Sequence, residues 1–574
     1  MKNILRLTGL QVLLFLCIHP QAQTPHRFDI VIDELFPDPT PAVSLPGSEF
    51  IELKNVSTTA FNLKGFKLSD GTSTATINVS FVLKPDSFVI ICPTSATASF
   101  AVYGTTIGVS SFPALNNDAD IITLYAPDGS IIHSVAYNMS WYHNDVKSEG
   151  GWSLEMIDPN NPCAGGNNWT SSTSNDGGTP GKINAVNREN KDEQAPALVK
   201  TYTINDSTIV AVFDEPIDST AAAIATNYTL DNGIGHPSSA EPVLPGYTEV
   251  KLSFAGTLKT GIVYILSVSN VYDCTGNSVG ALHTAKAGLP LVADSLSIAI
   301  NELLFDPVTD GYDYIELYNN SKQVADLKQL YLSNRATAGN LTNIKQLSTT
   351  PYLFFPGEYL LFTTNRQWVI QHYIAKYPDN IIELPSLPSF PDDKGTAVLT
   401  NLHGNVVDEL RYDAKWHFPL ISDPEGVALE RISYQQPAQN KNNWTSAAST
   451  AGYGTPGYIN SQSGTTSAQQ ALLEVNPRLF SPDNDGVDDF ATISYRATTP
   501  GNIVNITIYD VQGRAVRYLA KNAIPGITGN FRWDGLDEKA NRLPLGVYII
   551  VSEFFNQEGK KQKFKNTITL VRKL

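Results

Sequence analysis

Two long stretches of this chain carry the same phrases in the same order. Residues 30–39 read IVIDELFPDP and residues 298–307 read IAINELLFDP. SEFIELKNVS, from Ser48, returns as YDYIELYNNS from Tyr312. Further on, Tyr137 answers to Tyr412, the NNWTS around Trp169 to that around Trp444, and GTPG from Gly178 to GTPG from Gly454. The offset is 268 at Glu34/Glu302, 264 at Glu52/Glu316, 275 at Trp169/Trp444 and 276 at Gly178/Gly454. So small a drift means that loops have changed length while one fold was kept. A duplicated module multiplies a surface more readily than it builds one active site.

The repeated phrases read as strands. EFIEL (Glu49–Leu53) and DYIEL (Asp313–Leu317) alternate apolar and polar residues, the pattern of a strand with one buried and one wet face. SDG from Ser69, PDG from Pro127 and LHG from Leu402 punctuate the runs as turns. Short strands at such spacing predict an all-β chain of immunoglobulin-like β-sandwich modules. One exception is NRQWVIQHYIAKYP, where Trp368, Val369, Tyr373 and Lys376–Tyr377 fall at near-helical spacing before Pro378. It predicts a small helix on the sandwich edge.

With 574 residues the chain has room for several domains of ~150 residues each. Lys2 and Arg6 precede an apolar run, LQVLLFLCI, that closes in PQAQ, which predicts a secretory signal peptide over 1–23. No later run is long and apolar enough for a transmembrane helix. Removing Lys2 and Arg6 takes the formal charge from −16 to −18. So acidic a surface is a poor partner for nucleic acid, whose binding draws on clustered Lys and Arg. Three cysteines remain: Cys92, in the apolar run FVIICP, reads as a buried thiol. Cys163 and Cys274 lie in turn-rich segments; they are free to pair in an oxidising compartment, but no sequence feature fixes their distance.

The combination of I-x-I-(D/N)-E-L-x-x-D-P, (F/Y)-I-E-L-x-N and a closing NNWT…GTPG resembles the lamin-tail domain of secreted bacterial proteins, in both copies. The resemblance implies an immunoglobulin-like β-sandwich and no reaction. Phe213–Asp218 (FDEPID) and Val271–Asn277 (VYDCTGN) are similar to the bacterial Ig-like domains of surface proteins. The last hundred residues, with Ile508–Tyr509–Asp510, Gly513–Arg514, Trp533–Asp534–Gly535, Gly546–Val547–Tyr548 and the tail LVRKL, are similar to the FlgD-like Ig fold and to C-terminal sorting domains of type IX secretion. The implied order is signal peptide 1–23, lamin-tail domain 24–190, Ig-like domain 191–292, second lamin-tail domain 293–462, a soft linker 463–470 and a sorting domain 471–574.

Catalytic signatures are sparse. GNSVG (Gly276–Gly280) matches a nucleophile-elbow string but follows Ig-like strands rather than opening a helix, and His283 nearby does not complete it. His143 and His417 lie near Trp141 and Trp416 and read either as a surface aromatic patch or as ordinary strand-end residues. Glu34/Glu302 and Glu52/Glu316 recur in register; a glycosidase needs two carboxylates flanking a cleft, whereas strand carboxylates on a wet face or bonded to nearby turns need no chemistry. The best ion-binding candidate is DNDGVDD, where Asp483, Asn484, Asp485, Asp488 and Asp489 surround Gly486. Ca²⁺ takes six to eight oxygens from such a loop; the spacing departs from the EF-hand pattern, and a polar Asx turn is the alternative. The expected function is non-enzymatic, an exported surface or secreted protein that binds an extracellular polymer or surface protein and meets secretion machinery through its last domain. The competing expectation is an accessory subunit or hydrolase acting on extracellular polysaccharide or nucleic acid.

Overall fold

The computed structural model describes residues 25–421, 423–464, 472–556 and 559–572. The signal peptide expected over 1–23 and residues 465–470 of the linker lie outside the described residues. Two compact units emerge: one holds the chain up to Thr201 with Ser207–Gly256 and Ile265–Lys286, the other Tyr202–Asp206, Thr257–Tyr264 and Ala287–Leu574.

The repeats fold alike, strand for strand. In the first, a six-stranded sheet runs Trp169–Ser171, Leu154–Met156, Ile30–Phe36, Phe50–Asn55, Phe88–Pro93, Thr106–Val109. In the second the same order reads Trp444–Ser446, Leu429–Arg431, Ile298–Leu304, Tyr314–Asn319, Tyr359–Thr363, Ile381–Glu383. A four-stranded sheet faces each, built in the first repeat from Ile131–Asn138, Ala119–Tyr125, Lys67–Ser69 and Thr74–Thr76. Ile32, Leu53, Leu68, Leu124, Val135 and Trp169 fill the space between the two sheets. The last strand of each six-stranded sheet pairs in parallel, which requires a crossover. Repeat one crosses through Thr97–Phe100 and repeat two through the helix Arg366–His372, capped by the Asn365 side chain.

That helix is shorter than its spacing suggests. It stops at His372 because Tyr373 leaves the helical region (φ −123°, ψ 165°) to donate its hydroxyl to Gly426 O and meet the Tyr314 ring edge-on. A second expectation is corrected outright. The strands Ile30–Phe36 and Ile298–Leu304 are buried at every position, and Phe50–Asn55 and Tyr314–Asn319 at all but one, so neither pair has a wet face. The outer face of the six-stranded sheet is covered by a second apolar layer, Phe36, Phe50, Ile90 and Phe100 in the first repeat. The GTPG segment covers the rest.

The Ig-like stretch forms a four-stranded sheet, Leu198–Asn205, Thr208–Phe213, Glu249–Ser253, Ser239–Pro242, and a three-stranded one, Tyr228–Leu230, Tyr264–Val268, Thr284–Ala287. The C-terminal stretch pairs a three-stranded sheet with a five-stranded one around Phe480, Ile493, Ile506, Trp533, Tyr548 and Ile568. Its strands do alternate cleanly, as in Ala491–Arg496. The fold is thus all-β, a series of β-sandwiches.

The chain is firmly held just before the expected linker. Gln462 is wholly buried: its side chain donates to Pro525 O (3.2 Å) and accepts from Gly501 N (3.2 Å). Ser449 and Ile524 exchange hydrogen bonds of 2.9–3.2 Å, and Phe418, Ile503 and Ile524 form an apolar cluster between the second repeat and the C-terminal sandwich. Polar composition marks this tract as loop, but its amides are consumed by a joint.

Candidate functional site

Glu34 and Glu52 face each other across neighbouring strands, and Glu155 pairs with Glu34 from the other side. Three glutamates therefore form a row on the outer face of the sheet. In the second repeat the row is Glu430, Glu302, Glu316. A β-bulge lies just before the central glutamate in each repeat, between Ile32 and Glu34 and between Ile300 and Glu302. The bulge adds Asp33 or Asn301 as the unpaired residue.

All six glutamates are buried. Each row receives the returning GTPG segment. Thr179 N donates to Glu34 Oε1 (2.8 Å), Thr179 Oγ1 to Glu155 Oε1 (2.7 Å), and Gly181 N to Glu52 Oε2. In the second repeat Thr455 N donates to Glu302 Oε1 (3.0 Å), Thr455 Oγ1 to Glu302 and Glu430, and Gly457 N to Glu316 Oε2 (2.5 Å). Burial, then mutual repulsion, pushes Glu34, Glu52 and Glu316 well above the ordinary carboxylate range and Glu430 up to about 8. The carboxylates that recur in register are thus hydrogen-bonded to turns, though on a covered face rather than a wet one. No glutamate of the row is among the walls of the neighbouring 640 Å³ groove, which is lined by Lys54, Asp158, Asn160, Asn161 and Asp192.

The DNDGVDD loop joins Leu479–Phe480 to Ala491–Arg496. Asp483, Asp485 and Asp489 bring one carboxylate oxygen each to within 4.8 Å of one another, a set able to hold a hard cation. Asp489 accepts from Asn484 N (2.6 Å) and Gly486 N (2.9 Å), and Asp485 Oδ1 from Val487 N (2.8 Å). Asx turns and carboxylate convergence therefore coexist. Asn484 gives its backbone N–H to Asp489 and Asp488 its carbonyl to Ser481 N, and the Asp488 carboxylate is not one of the three that converge. Both adopt positive φ, 63° and 52°, beside Gly486 at 86°.

A second convergence escaped the sequence: Asp192, Glu215 and Asp273, again within 4.8 Å. Glu215 is pushed up to about 8 by burial and by Asp192 and Asp273. Asp273 Oδ1 also accepts from Thr275 N, Gly276 N and Asn277 N, which organises the turn beside Cys274. No spacing links these three positions. Cys274 pairs with Cys163 (Cα–Cα 6.3 Å), and Cys92 is buried and free. His143 is exposed while His417 is buried against Ser446 Oγ (2.9 Å), so they do not make a matching patch. Ser278 of the GNSVG string sits in a bridge with Tyr272, with no helix after it.

Residues 23–139 match the family model of the Lamin Tail Domain, and residues 473–570 that of the CHU_C Type IX secretion signal domain. The chain carries a lamin tail domain and a type IX secretion signal domain. It is therefore an exported protein of the cell surface or the extracellular space. The second repeat has the same strand order as the first, which carries that match over residues 23–139. No curated protein matches the chain. Among solved structures, the S-layer protein rSbsC(31-844) aligns at 15% identity over 66% of this chain and 54% of that one, TM-score 0.16. A DUF4876 family protein from Bacteroides thetaiotaomicron aligns at 14% over 42% and 90%, TM-score 0.15. CopC from Methylosinus trichosporium aligns at 16% over 18% and 95%, TM-score 0.13. Scores this low bear on neither fold nor function here. Among the described residues no helix is long and apolar enough to cross a membrane.

Proposed function

We propose that this is a non-catalytic surface protein, acting in adhesion, envelope structure or the binding of an extracellular polymer, whose C-terminal sandwich engages the type IX secretion machinery. The observation that carries the reading is the match of residues 473–570 to a type IX secretion signal domain. The carboxylates support it too. In both tandem modules the glutamates that recur in register are occupied in holding backbone, not poised at an open cleft. The Asp483–Asp485–Asp489 trio is the place we assign to calcium, as a stabiliser of the sorting sandwich.

The test is a deletion of residues 471–574, which should hold the chain in the periplasm, together with fusion of that segment to a passenger, which should send the passenger out. Secretion that survives the deletion would refute the export role. Turnover of a polysaccharide, nucleic acid or ester by the purified protein, abolished by a single Glu→Gln substitution, would refute the non-catalytic reading.

A further inference from the structure

The two tandem modules differ at two buried positions beside the glutamate row, and each module explains the other. In the second, Asn301 Nδ2 donates to Glu316 Oε1 (2.7 Å) and to Asn460 Oδ1 (2.6 Å). Tyr314 supplies a further hydroxyl to Glu302. Every carboxylate oxygen of Glu302, Glu316 and Glu430 then has a donor. In the first module Asp33 stands where Asn301 does, and Phe50 where Tyr314 does. Ser153 makes up part of the loss by donating to Glu34 Oε1 (2.6 Å). Four oxygens are still left buried without a donor: both of Asp33, Glu34 Oε2 and Glu52 Oε1. Asp33 is only 1% exposed. Such groups are expensive to bury charged and unpaired.

We infer that Asp33 carries a proton in the folded first module and offers it to the acceptors that Asn301 serves in the second, so that the latch under the returning GTPG segment has in this module a pH-sensitive member that the second lacks. A carboxylic acid is the one form of Asp33 that can donate toward Glu52 Oε1 or Asn184 Oδ1, the counterpart of Asn460. A shared cation fits less well. Among the described residues, the carboxylates that gather in threes within 4.8 Å are Asp192–Glu215–Asp273 and Asp483–Asp485–Asp489, and none of Asp33, Glu34, Glu52 and Glu155 belongs to either. The groups around Asp33 are predominantly acidic: Glu34 on its own strand, Glu52 on the next, and Glu155 on the other side. Lys54 is the opposing charge, half-exposed with its Nζ 5.0 Å from the Phe88 ring centre. His133, whose Nδ1 accepts from Ile32 N, is kept neutral by burial, its pKa lowered to about 4.

The sign follows from burial, which pushes Asp33 up from 3.8 to about 7. A raised acid stabilises the fold fully below its unfolded value. That contribution drains as the pH climbs to the folded value, here between about pH 4 and about pH 7.

The test is hydrogen exchange read by mass spectrometry on the full chain, which reports Ile30–Phe36 and Ile298–Leu304 separately. Relative to wild type at the same pH, Asp33→Asn should raise protection of Ile30–Phe36 by about tenfold or more near pH 8 and change it little near about pH 4. The reverse swap, Asn301→Asp, should lower protection of Ile298–Leu304 near about pH 8 and much less near about pH 4. Equal effects of Asp33→Asn at the two pH values would overturn the proposal. So would calcium reproducing in wild type, near about pH 8, the protection that Asp33→Asn gives, since a cation would then hold the site.

Discussion

Arg431 Nη1 donates to Asp408 Oδ2 at 2.6 Å, an ion pair with both side chains almost wholly buried, and the first module has Met156 and His133 at the same two places. The guanidinium also donates to Ile300 O (3.2 Å) and Gln436 O (2.9 Å), while Asp408 Oδ2 accepts from Ile300 N (2.9 Å). In the first module His133 Nδ1 accepts from Ile32 N instead (2.8 Å). One fold has met the same backbone need with a charged pair and with a neutral one.

Breaking the charged pair should therefore cost far more than replacing it. Arg431→Met alone leaves Asp408 buried and unpaired and should destabilise the second module by about 3–5 kcal/mol. The double substitution Arg431→Met with Asp408→His copies the first module and should recover most of that loss, leaving a deficit of about 1 kcal/mol. Urea unfolding of the two variants checks both values. A double variant as unstable as the single one would show that the pair has no neutral equivalent.

The Cys163–Cys274 bridge spans a sequence separation of 111 residues. Closing so long a loop is worth about 4–5 kcal/mol in the chain-entropy account. Reductant, or Cys163→Ala, should lower the melting temperature of the first compact unit and leave the second unchanged. Under native conditions an alkylating reagent should label neither bridged cysteine, nor Cys92 in its buried site. Rapid labelling of Cys163 in protein isolated without reductant would contradict the bridge.

Gly181 combines a positive φ of +78° with a crowded site, where an added Cβ would meet Tyr103 O at 2.6 Å and Gly104 Cα at 2.9 Å. Gly181→Ala should push the GTPG turn off Glu52 and cost about 2 kcal/mol or more. Gly129 supplies the control, since it has a φ of +90° and open space around it. Gly129→Ala should cost only the backbone part, about 1 kcal/mol. Thermal melts of the pair separate crowding from conformation.

In the acidic loop, Asp485→Asn keeps a side-chain oxygen for Val487 N while removing one charge from the trio. It should leave the calcium-free melting temperature within about 1 °C of wild type and weaken calcium binding by about tenfold. Asp489→Ala removes the acceptor of two backbone N–H groups and should destabilise the loop with or without calcium. Calorimetric titration with calcium reads the first effect, and melting in chelator the second.

The repeat makes much of the architecture legible in the sequence. Glu34/Glu302 and Glu52/Glu316 align because the strands that carry them pair in one register. Glu155 and Glu430 were equally available, since SLEM and ALER recur at the same offset as the two tryptophans. Burial was not readable. Alternation along EFIEL reports what a strand would do with water on one side, whereas the cover arrives from Thr179 and Gly181, well over a hundred residues away. The expected helix is present but ends early for a similar reason, because the Tyr373 side chain answers to Gly426 and Tyr314. The pairing of Cys163 had a faint signal, as Ala438 replaces it in the second module. A residue kept out of one copy serves something outside the repeat.

The joint at Gln462 bears on what any processing enzyme would leave behind. Detaching the export sandwich from its cargo would strip Phe418 of Ile503 and Ile524, and Ser449 of its backbone partner. The matured cargo would emerge with a greasy scar rimmed by unsatisfied amides, ready-made to settle on the next surface it meets.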